Sequence, residues 1–220
     1  MTAQALFELA QDEDEKVSDV LTRALSLSSI LRQKPVTAWL KSELGGFDAE
    51  APLPDYRCKL SGTLVAWMPG QGWIEAPISN EVRAEVSEFE LRDGIRELER
   101  SHIRNKRTGG QRLDLPENRL AELRQRTNLD TRLNMAVPNE AVGQVIEAAR
   151  VVVRLWAEAL VEAGLYKENN AFEAEDRQLA LTVSERLSEF ISMAAEEAPQ
   201  RVAAARVQQG GFLSRLFGRA

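Results

Sequence analysis

Residues 17–47 read VSDVLTRALSLSSILRQKPVTAWLKSELGGF, and after an alanine/proline spacer residues 53–57 read LPDYR. In the first half Val17, Val20, Leu21, Ala24, Leu27 and Leu31 recur three and four residues apart, the spacing of one apolar face of a helix. The charged run from Asp12 to Lys16 precedes it. Its acids suit the positive end of the helix dipole, so a solvated cap is the plain reading and a metal or partner site the sharper one. Pro35 opens a second, shorter helix carrying Trp39, Leu40 and Leu44, because proline is tolerated in a first turn. Gly45 and Gly46 stop it, and Pro52 and Pro54 steer the chain into extended structure. Two helices therefore start a core, and nothing in the stretch has the look of catalytic machinery.

Beyond it the period changes. Tyr56, Cys58 and Leu60 alternate with charged or small residues, and Thr63–Trp67 is β-prone. Met68–Gly72 reads as a turn, with Trp73–Ala76 returning as a second strand of an antiparallel hairpin. Trp67 and Trp73 flank the turn as a cross-strand pair, either capping a small core or offering rings on which a base or ligand stacks.

After Pro77, the residues Val82, Val86, Phe89, Leu91, Ile95, Leu98 and Ile103 predict a long helix weakened by Gly94 and broken at Thr108–Gly110. A short charged helix begins near Pro116. Leu133–Val137 is a candidate strand able to pair with the hairpin. Pro138 starts the strongest helix, with Val142, Val145, Ile146, Ala149, Val152, Val153, Trp156 and Leu160 in one stripe that reads as core. Gly164 ends it, and Lys167–Asn170 marks a boundary. A further helix places Leu179, Val183, Leu187, Phe190, Ile191 and Ala194 on one face with no obvious partner inside the chain. Such a face suits self-association or a neighbouring protein, with Phe190 and Ile191 as contact residues. Pro199 interrupts the pattern, and Gly210–Gly211 lead to FLSRLFGRA.

Composition narrows the function. An apolar fraction of 44% is enough for a real core, which argues against wholesale disorder. Cys58 is the only cysteine and His102 the only histidine, which excludes an intrachain disulfide, cysteine-rich zinc sites and two-histidine metal motifs. The acidic N-terminus lacks the features of a signal peptide, and no segment reaches the roughly 18 uninterrupted apolar residues of a membrane span, so a cytoplasmic protein is expected. A net charge of −6 argues against a globally nucleic-acid-binding surface but not against a local one.

The same residues resemble the AbiTii domain of bacterial abortive-infection systems. Arg23-Ala24-Leu25 are similar to its LRKAL-type first helix. Trp39, Glu43, Leu44 and Gly46 match a W-x-x-x-E-L-x-G-Y pattern, with Phe47 in place of tyrosine, and Pro54, Tyr56 and Arg57 match P-x-Y-R. Arg92, Ile95, Glu97, Leu98 and Glu99 resemble an R-x-x-I-x-E-L-E helix, and Val137-Pro138 followed by Ala148–Val151 resemble a strand feeding a terminal helix. The resemblance covers residues 14–165. The basic run from Arg104 to Arg132 and everything from Phe172 onward depart from it. It implies antiviral defence and supplies no active-site motif.

The catalytic inventory is thin. His102 sits in the charged segment SHIRNKR with no elbow or glycine-rich turn before it, and Cys58 reads as a small buried strand residue. Glu85, Glu88, Glu90, Asp93 and Glu97 are spaced as a solvated helix face threaded with arginines. A metal-dependent nuclease built from them and the basic loop is the alternative. Arg100, Arg104, Lys106, Arg107 and Arg112 cluster around Gly109–Gly110, either as a solvated loop or as a phosphate grip, predicting weak, sequence-independent nucleic-acid binding. Phe212, Leu213, Leu216 and Phe217, interleaved with Arg215 and Arg219, suit docking into a partner groove, and less readily an anionic membrane surface.

These readings predict a mainly α (α+β) protein. It is a helical bundle with a small antiparallel hairpin or three-stranded sheet inserted after the second helix, plus an extra C-terminal helix. Residues 14–165 form the AbiTii-like domain, 171–198 an oligomerisation helix and 199–220 a flexible tail. The expected function is non-enzymatic sensing, assembly or toxin action in antiphage defence, with no cofactor, catalytic residue or metal. The expected partners are a second copy of the chain or another defence protein, and nucleic acid.

Overall fold

A computed structural model of the protein describes residues 2–166 and 172–217, with side chains described as far as residue 206. The chain opens with α1 (Ala3–Gln11), a helix that the sequence reading passed over. Thr2 caps it, its hydroxyl accepting from Ala5 N at 3.1 Å, and Ala3, Leu6 and Ala10 are buried along one face. Next come α2 (Val17–Ile30) and α3 (Lys34–Gly45), with the expected apolar faces and with Pro35 in the first turn of α3. A 3-10 turn over Asp55–Arg57 stands where extended chain was expected.

Two sheets follow. In the smaller one β1 (Leu60–Ser61) pairs antiparallel with β4 (Glu88–Phe89). The larger has four antiparallel strands in the order β3-β2-β6-β5: β2 (Thr63–Met68), β3 (Gly72–Glu75), β5 (Gly110–Leu113) and β6 (Leu133–Pro138). The hairpin and the strand at residue 133 are as predicted. The fourth strand, β5, forms from residues read as a flexible loop. Four residues are too short a run to show a strand period without their partner, β6.

The predicted long helix over 82–103 is two helices, α4 (Asn80–Val86) and α5 (Ile95–Arg104), separated by β4 and a tight turn. Close backbone contact causes the break. Phe47 N donates to Arg92 O at 2.8 Å, Leu91 N donates to Arg57 O at 3.1 Å, and a Cβ at Gly94 would lie 2.5 Å from Leu44 O. Gly94 is therefore the residue that lets the α3 exit and the α5 start lie back to back, with Gly46 opposite it at φ +98°.

The helix α6 (Glu117–Thr127) buries Leu123 under the larger sheet with Leu64, Ala66, Ala76, Val86 and Leu133, a small second core. The main core is built around α7 (Asn139–Glu162), which packs against α1, α2, α5 and α9. Its Trp156 is 1% exposed, with the indole donating to Gln33 Oε1 at 2.9 Å; Gln33 Nε2 in turn donates to Ala180 O in α8 (Ala174–Glu185). A buried indole and a buried amide thus satisfy each other.

The last helix, α9 (Leu187–Phe217), runs on through Pro199, where an interruption was expected; proline removes one helical hydrogen bond there without ending the helix. It lies along α7. Phe190 is 2% exposed, Ala194 and Ala198 are buried beside it, and Ile191 packs half-buried on the same core. Arg154 on α7 reinforces the contact through Glu197 at 2.8 Å. Of the apolar face that seemed unpartnered, Val183, Phe190 and Ala194 are buried in the main core of the same chain, while Leu179 stays exposed. Among the described residues no helix is long and apolar enough to cross a membrane.

Candidate nucleic-acid interface

The motif residues come together first, and they come together inside. Glu43 and Arg57 form an ion pair at 2.7 Å with both side chains fully buried. Tyr56 OH donates to Glu43 Oε1 at 2.7 Å and receives the Trp39 indole N–H at 3.1 Å. The remaining Arg57 nitrogen donates to Leu91 O at 2.8 Å and Asp93 O at 2.9 Å, and the guanidinium carbon lies 4.9 Å from the Phe47 ring centre. Burial, followed by the Glu43 charge, pushes the Tyr56 phenol well above its ordinary pKa. Glu99 accepts from Ser18 N at 3.1 Å, tying α5 to the start of α2. The network clamps α3, the 3-10 turn and the approach to α5 together, and no atom of the Glu43–Arg57 pair faces solvent.

The carboxylates considered for metal chemistry are dispersed over separate elements. Glu85 pairs with Arg126 at 3.0 Å, Glu90 with Arg92 at 2.9 Å and Glu97 with Arg100 at 3.2 Å. Among the described residues no group of His, Cys, Asp and Glu side chains is arranged to hold a metal ion. Cys58 is half-buried just after the 3-10 turn rather than on a strand. Burial, with Glu90 nearby, raises its thiol pKa, which lowers its thiolate content. His102 sits near the end of α5, with Nδ1 3.1 Å from Asn139 O and the ring lying over Gly143.

His102 also lines a cleft of about 520 Å³ where α5, the start of α7 and α9 meet. The acids of the cleft pair with arginines, Glu147 with Arg201 at 2.7 Å and Arg150 at 3.3 Å, and Glu140 with Arg206 at 3.0 Å. Lys106, which also lines it, has no carboxylate partner among the described residues. Burial holds the Glu147 carboxyl above its usual range despite both arginines.

The basic cluster divides. Arg100 and Arg104 sit on α5 and share Glu97, at 3.2 and 3.9 Å. Lys106 and Arg107 follow in an ordered turn in which Gly109 N donates to Asn105 O at 3.0 Å and Thr108 Oγ1 to Gly110 O at 3.0 Å. Asn105 and Ser101 both donate to Gln111 Oε1, pinning the turn to β5. Arg112 is on β5, its guanidinium carbon 5.2 Å from the Trp73 ring centre. Lys106, Arg107 and Arg112 are exposed, and among the described residues no carboxylate pairs with them.

The strand register explains why Arg112 and the tryptophans share a surface. Arg112 and Thr63 both face Ala136, and Trp67 faces Trp73. This puts them on the solvent side of the larger sheet, opposite Leu64, Leu133 and Met135. The two rings meet edge to face at 5.7 Å between centres and 69° between planes. Arg132, whose carbonyl accepts from Trp67 N at 2.9 Å, adds an exposed cation that the sequence reading did not single out; only its neighbour in the register reveals it.

Of the predicted partner-contact residues, Phe190 belongs to the core and Ile191 is packed against it. Among the described residues, the large apolar side chains that α8 and α9 leave exposed are Leu179, Leu181 and Met193. The backbone holding Phe212, Leu213, Leu216 and Phe217 is part of α9, but their side chains lie outside the described residues.

No curated protein and no solved structure matches the chain. The family model for AbiTii matches residues 3–185, reaching further at both ends than the motifs did and taking in α1 and α8. Family membership points to a role in bacterial abortive infection. With the buried Trp39–Glu43–Tyr56–Arg57 network as the physical form of its signature, the chain belongs to the AbiTii family.

Proposed function

We propose that this AbiTii protein serves abortive infection as a non-enzymatic binding component, holding nucleic acid by its phosphates along the turn after α5 and along β5. The observation that carries this reading is the set Lys106, Arg107 and Arg112. These are exposed cations without a carboxylate partner among the described residues, on ordered backbone, in a chain of net charge −6. Exposed cations elsewhere, such as Lys16, Arg23, Arg32, Lys34, Lys41 and Lys59, also lack a carboxylate partner among the described residues. At this edge, however, Arg112 lies over the Trp73 ring, which joins positive charge to an aromatic surface and favours it as the place for a polyanion. An ordered turn also needs less rearrangement on binding than a flexible one.

With few phosphate contacts the affinity is weak, independent of sequence and sensitive to salt. The test is incubation with DNA and RNA at low salt with Mg²⁺ or Mn²⁺. The expected result is retarded migration of intact strands. Unretarded strands overturn the reading. Metal-dependent cleavage lost on Glu→Gln substitution replaces it with a nuclease.

A further inference from the structure

We propose that the open face of the four-stranded sheet is a stacking platform for single-stranded nucleic acid, with Trp67 and the Arg112–Trp73 pair receiving bases. The proposal rests on the phosphate reading above and adds to it the part of the ligand that is recognised.

The first argument is the sidedness of the sheet. Leu64, Ala66, Leu133, Met135 and Val137 are buried on one side, while the alternating residues on the other are at most half-buried. No described element covers that second face. Yet it carries two tryptophans, Trp67 with 39% of its surface exposed, which contribute to neither apolar cluster. Large rings on the wet side of a sheet are not needed to form the core beneath it.

The second argument is chemical. Arg112 reaches across the face to set its guanidinium over the Trp73 ring, 5.2 Å from the ring centre, while the residue itself stays exposed. Guanidinium planes and indoles are the surfaces on which unpaired bases stack. The edge-to-face contact between Trp67 and Trp73 fixes both rings before any ligand arrives.

The third argument is charge complementarity. The acids on this face are already engaged: Glu75 pairs with Arg83 at 3.0 Å, and Asp114 accepts from Asn134 Nδ2 at 2.8 Å. Arg112 and Arg132 have no such partner among the described residues, and Arg107 lies a few residues before Arg112. Aromatic rings bordered by unpaired cations fit a strand whose bases point inward and whose phosphates run along the rim. A duplex does not fit, because its bases are stacked on one another and cannot reach the rings.

The intrinsic fluorescence of the wild-type protein tests this without a variant. Trp39 and Trp156 are 8% and 1% exposed, so a quencher on the surface reports Trp67 and Trp73. Three probes of equal length are titrated at one low salt concentration: an oligothymidylate, the same backbone without bases, and a duplex. The platform predicts quenching by the oligothymidylate and affinity at least about tenfold weaker for the base-free strand and the duplex, as expected for one or two stacked bases. Trp67→Leu should lose most of the quenching and roughly tenfold in affinity while the thermal midpoint stays near wild type. Equal affinity for all three probes overturns the platform and leaves the phosphate grip standing. Absence of binding to every probe overturns both, and leaves the face to a protein partner.

Discussion

All three nitrogens of the Arg57 guanidinium donate inside the protein, to Glu43 and to two backbone carbonyls. Such a pair is costly to desolvate and is worthwhile only when fully satisfied, as here. Arg57→Met would leave the Glu43 carboxylate buried with only Tyr56 to hydrogen-bond it, and should destabilise the fold by about 3–5 kcal/mol. Adding Glu43→Leu should restore part of that loss, since the orphaned charge disappears. Chemical denaturation of the two variants checks this, and additive losses would show that the pair is not coupled. These residues were legible as a signature from their order along the chain. Their joint role was not, because residues 43 and 57 meet only after the chain reverses between α3 and the 3-10 turn. Arg112 was likewise legible as a cation, but its seat over Trp73 required knowing that β5 joins the sheet.

At the scale of elements, α2, α3 and α7 could be read because each buries a single continuous stripe along many turns. The failures have a shared cause. Val82 to Ile103 kept a helical spacing by chance, while backbone contacts with residues 44–47 impose an extended stretch and a turn. The face bearing Phe190 looked free because periodicity says that a stripe is covered, not by what. Since Phe190 is buried in the main core of the same chain, Phe190→Ala should cost about 3–5 kcal/mol of stability, as for other buried phenylalanines, without selectively changing the oligomeric state. Thermal unfolding with light scattering separates the outcomes. A fully stable variant that only lowers the molecular mass would mean that the face serves a second copy after all.

At the scale of the whole molecule, an acidic chain keeps Lys106, Arg107 and Arg112 exposed along one edge, without a carboxylate partner among the described residues. The core elements position that edge: α5 leans on α7, and the turn after it is hydrogen-bonded to the start of α7 through Asn139 N and Gly109 O at 2.9 Å. The rigidity of the bundle is thereby passed to Lys106, Arg107 and Arg112. The most direct test of this account is the salt dependence of binding to a single strand. Three phosphate contacts predict that log K falls against log salt with a slope of roughly −2, from about −0.7 per contact. In a Lys106→Ala/Arg107→Ala/Arg112→Ala triple variant that slope should shrink toward zero along with the affinity. A slope unchanged in the triple variant, or wild-type binding indifferent to salt, would contradict the account.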